Sequence, residues 1–248
     1  MALDRLVMRA RPEGTPVMHQ IWQNVLFMHW SFQPDEIRAL IPGEFELDIF
    51  DDKAWISVTP FTVTHLHLHS LPPIPGLNSF HELNVRTYVH HKGIPGIWFF
   101  SLDASKLIPA MAARALFMLP YHDAEVTFQQ SAGEFAFELA RSGSPAAHFR
   151  AQWSTGLRLR DPDVDSLAFF LVERYCHFAL RDDTIYMTRI YHHPWILEEA
   201  VVSSHASTMI GALGISEPGT RPLAHFAREQ NVDIWVPIPV SQGVTDRK

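Results

Sequence analysis

FHELNVRTYVHHKGIPGIWFFSLDASKLIPAMAARALFMLPYH, residues 80–122, holds two strand-like runs, a helical run and the chain's best-placed group of polar side chains. Taken at period two, residues 80–90 separate into two faces. His81, Leu83, Val85, Thr87 and Val89 form one; Phe80, Glu82, Asn84, Arg86, Tyr88 and His90 form the other. The first face reads as core, whereas the second sets an acid, an amide and a base between aromatics. After the turn signals Lys92-Gly93 and Pro95-Gly96, residues 97–102 are apolar on both faces, as in a strand covered on both sides. If the two strands pair, Glu82 and Arg86 face an enclosed space. Isolated burial of either charge is costly, so each then needs a partner or a wet cavity. A structural Glu-Arg pair on a solvated sheet face accounts for the same letters.

From Ala104 the spacing of Leu107, Met111, Ala115 and Met118 predicts a helix that stops at Pro120. Tyr121 and His122 then lead into a strand-like run at 124–128, at a corner of the kind that presents side chains to a pocket. An imidazole titrates near neutrality, about 6.5, so His122 is a candidate proton donor or acceptor.

The whole chain has 248 residues, 47% hydrophobic and 19% charged, enough to bury a sizeable core in one domain. We expect a flexible leader at 1–17, a single domain at 18–240 and a tail at 241–248. A formal net charge of -7 without a Lys/Arg run argues against a nucleic-acid surface. The single cysteine, Cys176, excludes an internal disulfide. No apolar stretch approaches the roughly 18 residues of a membrane helix, and a cytoplasmic location is the default expectation. No cofactor is expected, the natural partner is a small-molecule ligand, and homo-oligomerisation stays open.

Strands are predicted at 21–32, 134–139, 147–159, 184–191 and 232–236, with a hairpin of 45–50 and 54–63 around Asp51-Asp52-Lys53. Helices are predicted at 34–40, at 163–180 and, short, at 195–202. The sum is a β-rich α+β chain: a curved antiparallel sheet or barrel with a few short flanking helices.

Among chemical motifs, His65-Leu66-His67-Leu68-His69 would line one strand face with three imidazoles, a spacing that zinc sites use. Alternating histidine on a half-solvated strand explains it equally, and no HExxH occurs. Phosphate-loop, GxGxxG and GxSxG patterns are missing too, which argues against nucleotide cofactors on a Rossmann scaffold and against a serine-hydrolase elbow.

Residues 83–89 (LNVRTYV), 96–104 (GIWFFSLDA), 119–122 (LPYH) and 192–195 (HHPW), together with His29-Trp30 and Ala54-Trp55, carry a resemblance to the YqjF-like family of uncharacterised conserved bacterial proteins. That family in turn resembles the acetoacetate decarboxylase superfamily. The second resemblance implies a cone-shaped, mostly antiparallel β structure around an apolar cavity and matches Glu82 to a functional glutamate. Those decarboxylases form a Schiff base through a lysine at a Phe-Pro-Lys-Lys corner, where this chain has Tyr121 and His122. Lys106 lies about three helical turns away, so imine chemistry, which needs a primary amine, is not expected. The candidate catalytic residues are His122, Glu82 and Tyr121, and the candidate substrate-binding residues are Arg86, Asn84 and Trp98, with no metal. The expected function is an enclosed pocket for a small, largely apolar carbonyl or acid compound, with acid/base catalysis. The alternatives are a non-catalytic binding protein and a metal-dependent hydrolase using His65, His67 and His69.

Overall fold

The computed structural model describes residues 3–76, 78–105 and 116–240. Its strands are β1 (Met18–Phe32), β2 (Glu46–Leu47), β3 (Ala54–Leu68), β4 (Phe80–His91), β5 (Ile94–Ala104), β6 (Tyr121–Ser131), β7 (Glu134–Arg141), β8 (His148–Arg158), β9 (Cys176–Arg181), β10 (Thr184–Tyr191), β11 (Glu198–Ser207), β12 (Leu223–Ile234) and β13 (Ile238–Pro239). Two short helices, α1 (Pro34–Arg38) and α2 (Leu167–Val172), flank them.

All thirteen strands belong to one sheet, ordered β13-β10-β9-β5-β6-β7-β8-β11-β12-β1-β3-β4-β2, and β4 also pairs with β5 while β10 also pairs with β12. Those two extra pairings close the sheet twice. One ring runs β4-β5-β6-β7-β8-β11-β12-β1-β3; the other runs β4-β5-β9-β10-β12-β1-β3. Strands β12, β1, β3, β4 and β5 are common to both rings and form a shared wall. The larger ring is filled by a hydrophobic cluster that includes Leu26, Met28, Val58, Leu83, Val85, Phe137, Trp153 and Phe226. Burying a side chain of that size stabilises the fold by about 1.5–3 kcal/mol. The smaller ring encloses the cavity described below.

A wall with a ring on each side has no solvent face, which is why β4 is buried from Glu82 to Val89. Its odd residues Leu83 and Val85 enter the large-ring core, and its even residues Glu82, Asn84 and Arg86 turn to the small ring. Two irregularities keep neighbouring strands aimed correctly. In β5, Val85 pairs with Ser101 and Arg86 with Phe99, so Phe100 is an extra, bulged residue. Ile97 and Phe99 before the bulge and Leu102 after it therefore face the same ring. In β1, Asn24 takes a left-handed φ of 53° within a register shift against β3, and the cavity stripe passes from Trp22 to Val25. Asparagine is among the non-glycine residues that adopt this conformation most readily.

Pairing is antiparallel except where β5 lies parallel to β6 and to β9. The β5–β7 corner is held by a buried ion pair: Arg141 donates from Nε to Asp103 Oδ1 at 2.5 Å and from Nη2 to Asp103 Oδ2 at 2.9 Å.

Several expected elements differ. The helical spacing at 163–180 holds only for α2, capped by Ser166 Oγ accepting from the Phe169 amide at 3.2 Å. Glu173 leaves helical geometry at φ -88° and ψ 85°, and Cys176–Arg181 pairs as strand β9. The expected helix at 195–202 is not formed: 195–197 are irregular and 198–202 begin β11, whose Val201 and Val202 suit a pleated strand. The Asp51-Asp52 turn forms with positive φ at both residues, but β2 pairs with β4 instead of β3. The helix expected after Ala104 falls mostly on 106–115, outside the described residues. Residues 3–17 are tied to the barrel: Arg5 donates to Asp48, Arg11 pairs with Asp233, Arg189 donates to the carbonyls of Met8 and Ala10, and Trp235 donates to the Glu13 carbonyl.

Gly96 sets how closely β9 approaches β5. A Cβ there would lie 2.6 Å from Phe178 Cε2 and 3.0 Å from Cys176 Sγ. Gly96→Ala is expected to destabilise the fold by about 1–3 kcal/mol, the usual cost of overpacking, read as a lower urea midpoint. An unchanged midpoint would mean that the two strands are not in such contact.

Candidate functional site

The small ring encloses a cavity of about 70 Å³, space for a compact molecule and not for a long acyl chain. All seven strands of the ring line it, joined by Tyr121 from β6 and by Phe117 and Leu119 just before it. Its walls are largely apolar, with Trp22, Val25, Phe27, Phe61, Ile97 and Phe99, and set among them are Glu82, Asn84, Arg86, Tyr121, Arg174, His177 and His192.

Glu82 is buried, and its Oε2 accepts a hydrogen bond from the Tyr121 hydroxyl at 3.1 Å. Burial raises its carboxyl to a pKa of about 8; the Tyr121 hydrogen bond pulls the other way and the nearby Asp103 charge adds to the rise. At neutral pH it is predominantly a neutral acid. Burial and the proximity of Glu82 likewise push the Tyr121 phenol well above its ordinary value, so Tyr121 stays a donor.

Arg86 is 7% exposed, and its Nε and Nη2 have no hydrogen-bond partner among the described residues. Its guanidinium lies 5.5 Å from the Phe27 ring centroid, a cation–π contact, but no carboxylate stands within ion-pair distance among the described residues. Burial lowers its pKa; the Tyr88 hydroxyl, in side-chain hydrogen-bond reach, pulls the other way, and the Arg174 charge lowers it further. Asn84, between the two, keeps a buried Oδ1 without a partner. The same β4 stripe ends in a directed chain. Tyr88 donates to the Leu171 carbonyl at 2.7 Å, so Ser57 Oγ, 2.5 Å away, donates to Tyr88 and accepts from His29 Nδ1 at 2.6 Å. His29, its pKa well lowered by burial, is thereby the neutral Nδ1–H tautomer.

The structure brings Glu82, Asn84, Arg86 and Tyr121 into one cavity. It places His122 and Trp98 elsewhere. In the parallel β5–β6 pairing Tyr121 is opposite Leu102 and His122 opposite Asp103, so His122 shares the Asp103 face, turned away from the cavity. Trp98 precedes the β5 bulge on the far face, 5.2 Å from the Phe45 ring. The histidines of β3 do not share a face, because His65 has a φ of 52° that breaks the alternation; His67 stacks near His19, with ring centroids 5.3 Å apart. Among the described residues no group of three or more His, Cys, Asp or Glu side chains is placed to hold a metal ion.

Three ionisable residues that line the cavity, Arg174, His177 and His192, escaped sequence reasoning. Arg174 donates from Nε to the Phe170 carbonyl at 3.0 Å and from Nη1 to Asp48 Oδ2 at 2.6 Å, leaving a buried Nη2 without a partner. Asp48 lies 126 residues away in sequence, so no local pattern couples the two. His177, lowered by burial to a pKa of about 3, is neutral at physiological pH. His192 points Nδ1 at the His193 carbonyl (2.8 Å) and Nε2 at the Arg174 carbonyl (3.1 Å). Its only sequence signal was the HHPW stretch.

A doubly closed, mostly antiparallel sheet around a polar-dotted apolar cavity is the fold of acetoacetate decarboxylase-like proteins. The chain superposes on an acetoacetate decarboxylase-like enzyme from Sphingomonas wittichii RW1 with TM-score 0.62 at 13% identity, covering 92% of this chain and 94% of that one. The enduracididine biosynthesis enzyme MppR, in its complex with pyruvate, matches with TM-score 0.63 at 12% identity, covering 92% and 91%. Residues 19–231 match the DUF2071 family model, described as an uncharacterised conserved protein, and the chain belongs to that family. It is 39% identical over 224 residues to YqjF of Bacillus subtilis (strain 168), covering 90% of this chain and 93% of that protein.

The raised Glu82 pKa makes stability depend on pH. Below about 4.5 the carboxyl is protonated folded and unfolded alike; between 4.5 and 8 only the unfolded chain releases the proton, so stability falls as pH rises through that window. The slope from this one group is at most about 1.4 kcal/mol per pH unit. Urea unfolding of wild type and Glu82→Gln from pH 5 to 8.5 isolates it, since the buried histidines are common to both. The wild type should lose stability relative to the variant as pH rises; parallel curves would contradict the raised pKa.

Proposed function

We propose that this protein holds a small, largely apolar carbonyl or carboxylic-acid compound in the small-ring cavity and performs acid/base chemistry on it without a Schiff base. The observation that carries the reading is Arg86: a buried guanidinium with two N–H groups unpartnered among the described residues, lining the same apolar cavity as a predominantly protonated Glu82. A buried cation without a counter-ion is unfavourable, and a ligand carboxylate or developing oxyanion supplies the missing charge. A carboxyl titrating at about 8 is present in both forms near neutrality, so Glu82 can take a proton from carbon α to a carbonyl and return it. Tyr121 donates to Glu82 and orients it. None of the described residues lining the cavity is a lysine, which supports a route without an imine. Lys106 lies outside the described residues. MppR, a protein of the same fold, is complexed with pyruvate, which fits a cavity for small oxo acids.

His122 faces away from the cavity and takes no part in this proposal. A second reading, binding without turnover, draws on the aromatic walls formed by Trp22, Phe27, Phe61 and Phe99.

Two measurements decide between them. Butyrate should bind by calorimetry at pH 7, weakening about 10- to 100-fold in Arg86→Gln, the worth of hydrogen bonds to a charged group. Binding should also weaken above pH 8 in wild type but not in Glu82→Gln, since ionised Glu82 repels the ligand. For the chemistry, 2-oxobutyrate in deuterium oxide should exchange its C3 protons faster with the protein than in buffer, and Glu82→Gln should remove about 100-fold or more of the excess rate. Binding without exchange would select the carrier reading; no binding of either acid would overturn both.

A further inference from the structure

The donors of the cavity are not confined to Arg86. Arg174, 4% exposed, has two of its three nitrogens fixed, Nε on the Phe170 carbonyl and Nη1 on Asp48, and the third, Nη2, is buried without a partner among the described residues. Its guanidinium is clamped between the rings of Tyr88 at 4.8 Å and Phe170 at 4.6 Å, so its position is set by packing as well as by hydrogen bonds. Trp195, which also lines the cavity, has a buried indole Nε1 without a partner. His192 links the two residues: its Nε2 meets the Arg174 carbonyl and its ring lies 5.2 Å from the Trp195 ring. Arg86 rests on a different ring, Phe27. Among the described residues the cavity thus has four buried donor atoms without a partner on its lining residues: Arg86 Nε and Nη2, Arg174 Nη2 and Trp195 Nε1.

The charges point the same way. The carboxylate that meets Arg174, Asp48, is shared with Arg5, whose Nη2 donates to its other oxygen at 2.6 Å. Glu173, the nearest other acid in the chain, has its oxygens on the Tyr175 hydroxyl and the Trp195 amide. Arg5 and Arg174 therefore share a single carboxylate, Asp48, and Arg86 meets none among the described residues, while Glu82 is the lone carboxyl lining the cavity among the described residues.

We propose that the ligand of this cavity is a short dicarboxylate, one end on Arg86 and the other on Arg174 and Trp195. This deepens the carboxylic-acid reading above and rests on it. Asp48 and the Phe170 carbonyl act as positioning groups that turn Arg174 Nη2 inward. The chain between the two carboxylates meets the apolar walls, and the cavity volume of about 70 Å³ restricts it to a few carbons.

The test compares acids of equal carbon number on the whole chain: succinate against butyrate, by calorimetry at pH 7. Wild type should bind succinate at least tenfold more tightly. Arg174→Gln should bring the ratio to within about threefold of unity, and Arg174→Lys, which preserves a charge for Asp48, should retain an intermediate ratio. Circular dichroism melts establish that both variants are folded, and the wild-type ratio stands even if neither is. Equal affinities in wild type, or a ratio that survives Arg174→Gln, would overturn the dicarboxylate proposal and leave the carboxylic-acid reading intact. Failure of both acids to bind wild type would overturn that reading, and this proposal with it.

Discussion

A guanidinium taken out of water must find a negative charge or a full set of acceptors, and Arg86 has neither from the described residues of its own chain. The site is organised around that constraint. The strand that carries Arg86 has no solvent face, because each side of it is the inner wall of a ring. The same burial that strands the cation holds the Glu82 proton four residues away on the same face of the strand, so the cavity combines a positive charge with a neutral acid at physiological pH. Opposite effects on two ionisable neighbours follow from one cause, low polarisability around both.

The double closure also explains why the wall is built with irregularities. A regular β5 would aim Leu102 away from the cavity and Asp103 into it. The extra residue Phe100 prevents this and sends Asp103 to Arg141, where a fully paired ion pair fastens the corner. A buried acid fully paired on one face and a buried base without an ion-pair partner among the described residues on the other make a clear contrast. The first is architecture; on the proposed reading the second is where a ligand carboxylate docks.

Much of this was legible from residues 80–90, where period-two alternation already separates an apolar stripe from Glu82, Asn84 and Arg86. The β-rich, decarboxylase-like fold and the family were legible as well, through the strand, strand, proline-corner order and the motifs around it. What failed did so for physical reasons. Helical spacing at 163–180 arose because α2 and β9 follow one another and both are apolar; three- and four-residue recurrence cannot separate a short helix abutting a buried strand from one long helix. The proline corner was read as presenting Tyr121 and His122 together, yet adjacent strand residues face opposite ways, and only the pairing with Leu102 and Asp103 decides which faces in. Trp98 lies outside the cavity because the β5 bulge comes after it. Arg174 gains its meaning from Asp48, a contact set by topology alone.

The central claim is that the cavity keeps Glu82 protonated near neutrality, beside an unpaired Arg86. Carbon-detected NMR of the glutamate side-chain carboxyls, with Glu82 assigned by its loss in Glu82→Gln, measures this directly. The account predicts a titration midpoint near 8 for that resonance. A midpoint near 4.5, the ordinary glutamate value, would mean that Glu82 is ionised in the cavity at neutral pH, and would contradict it.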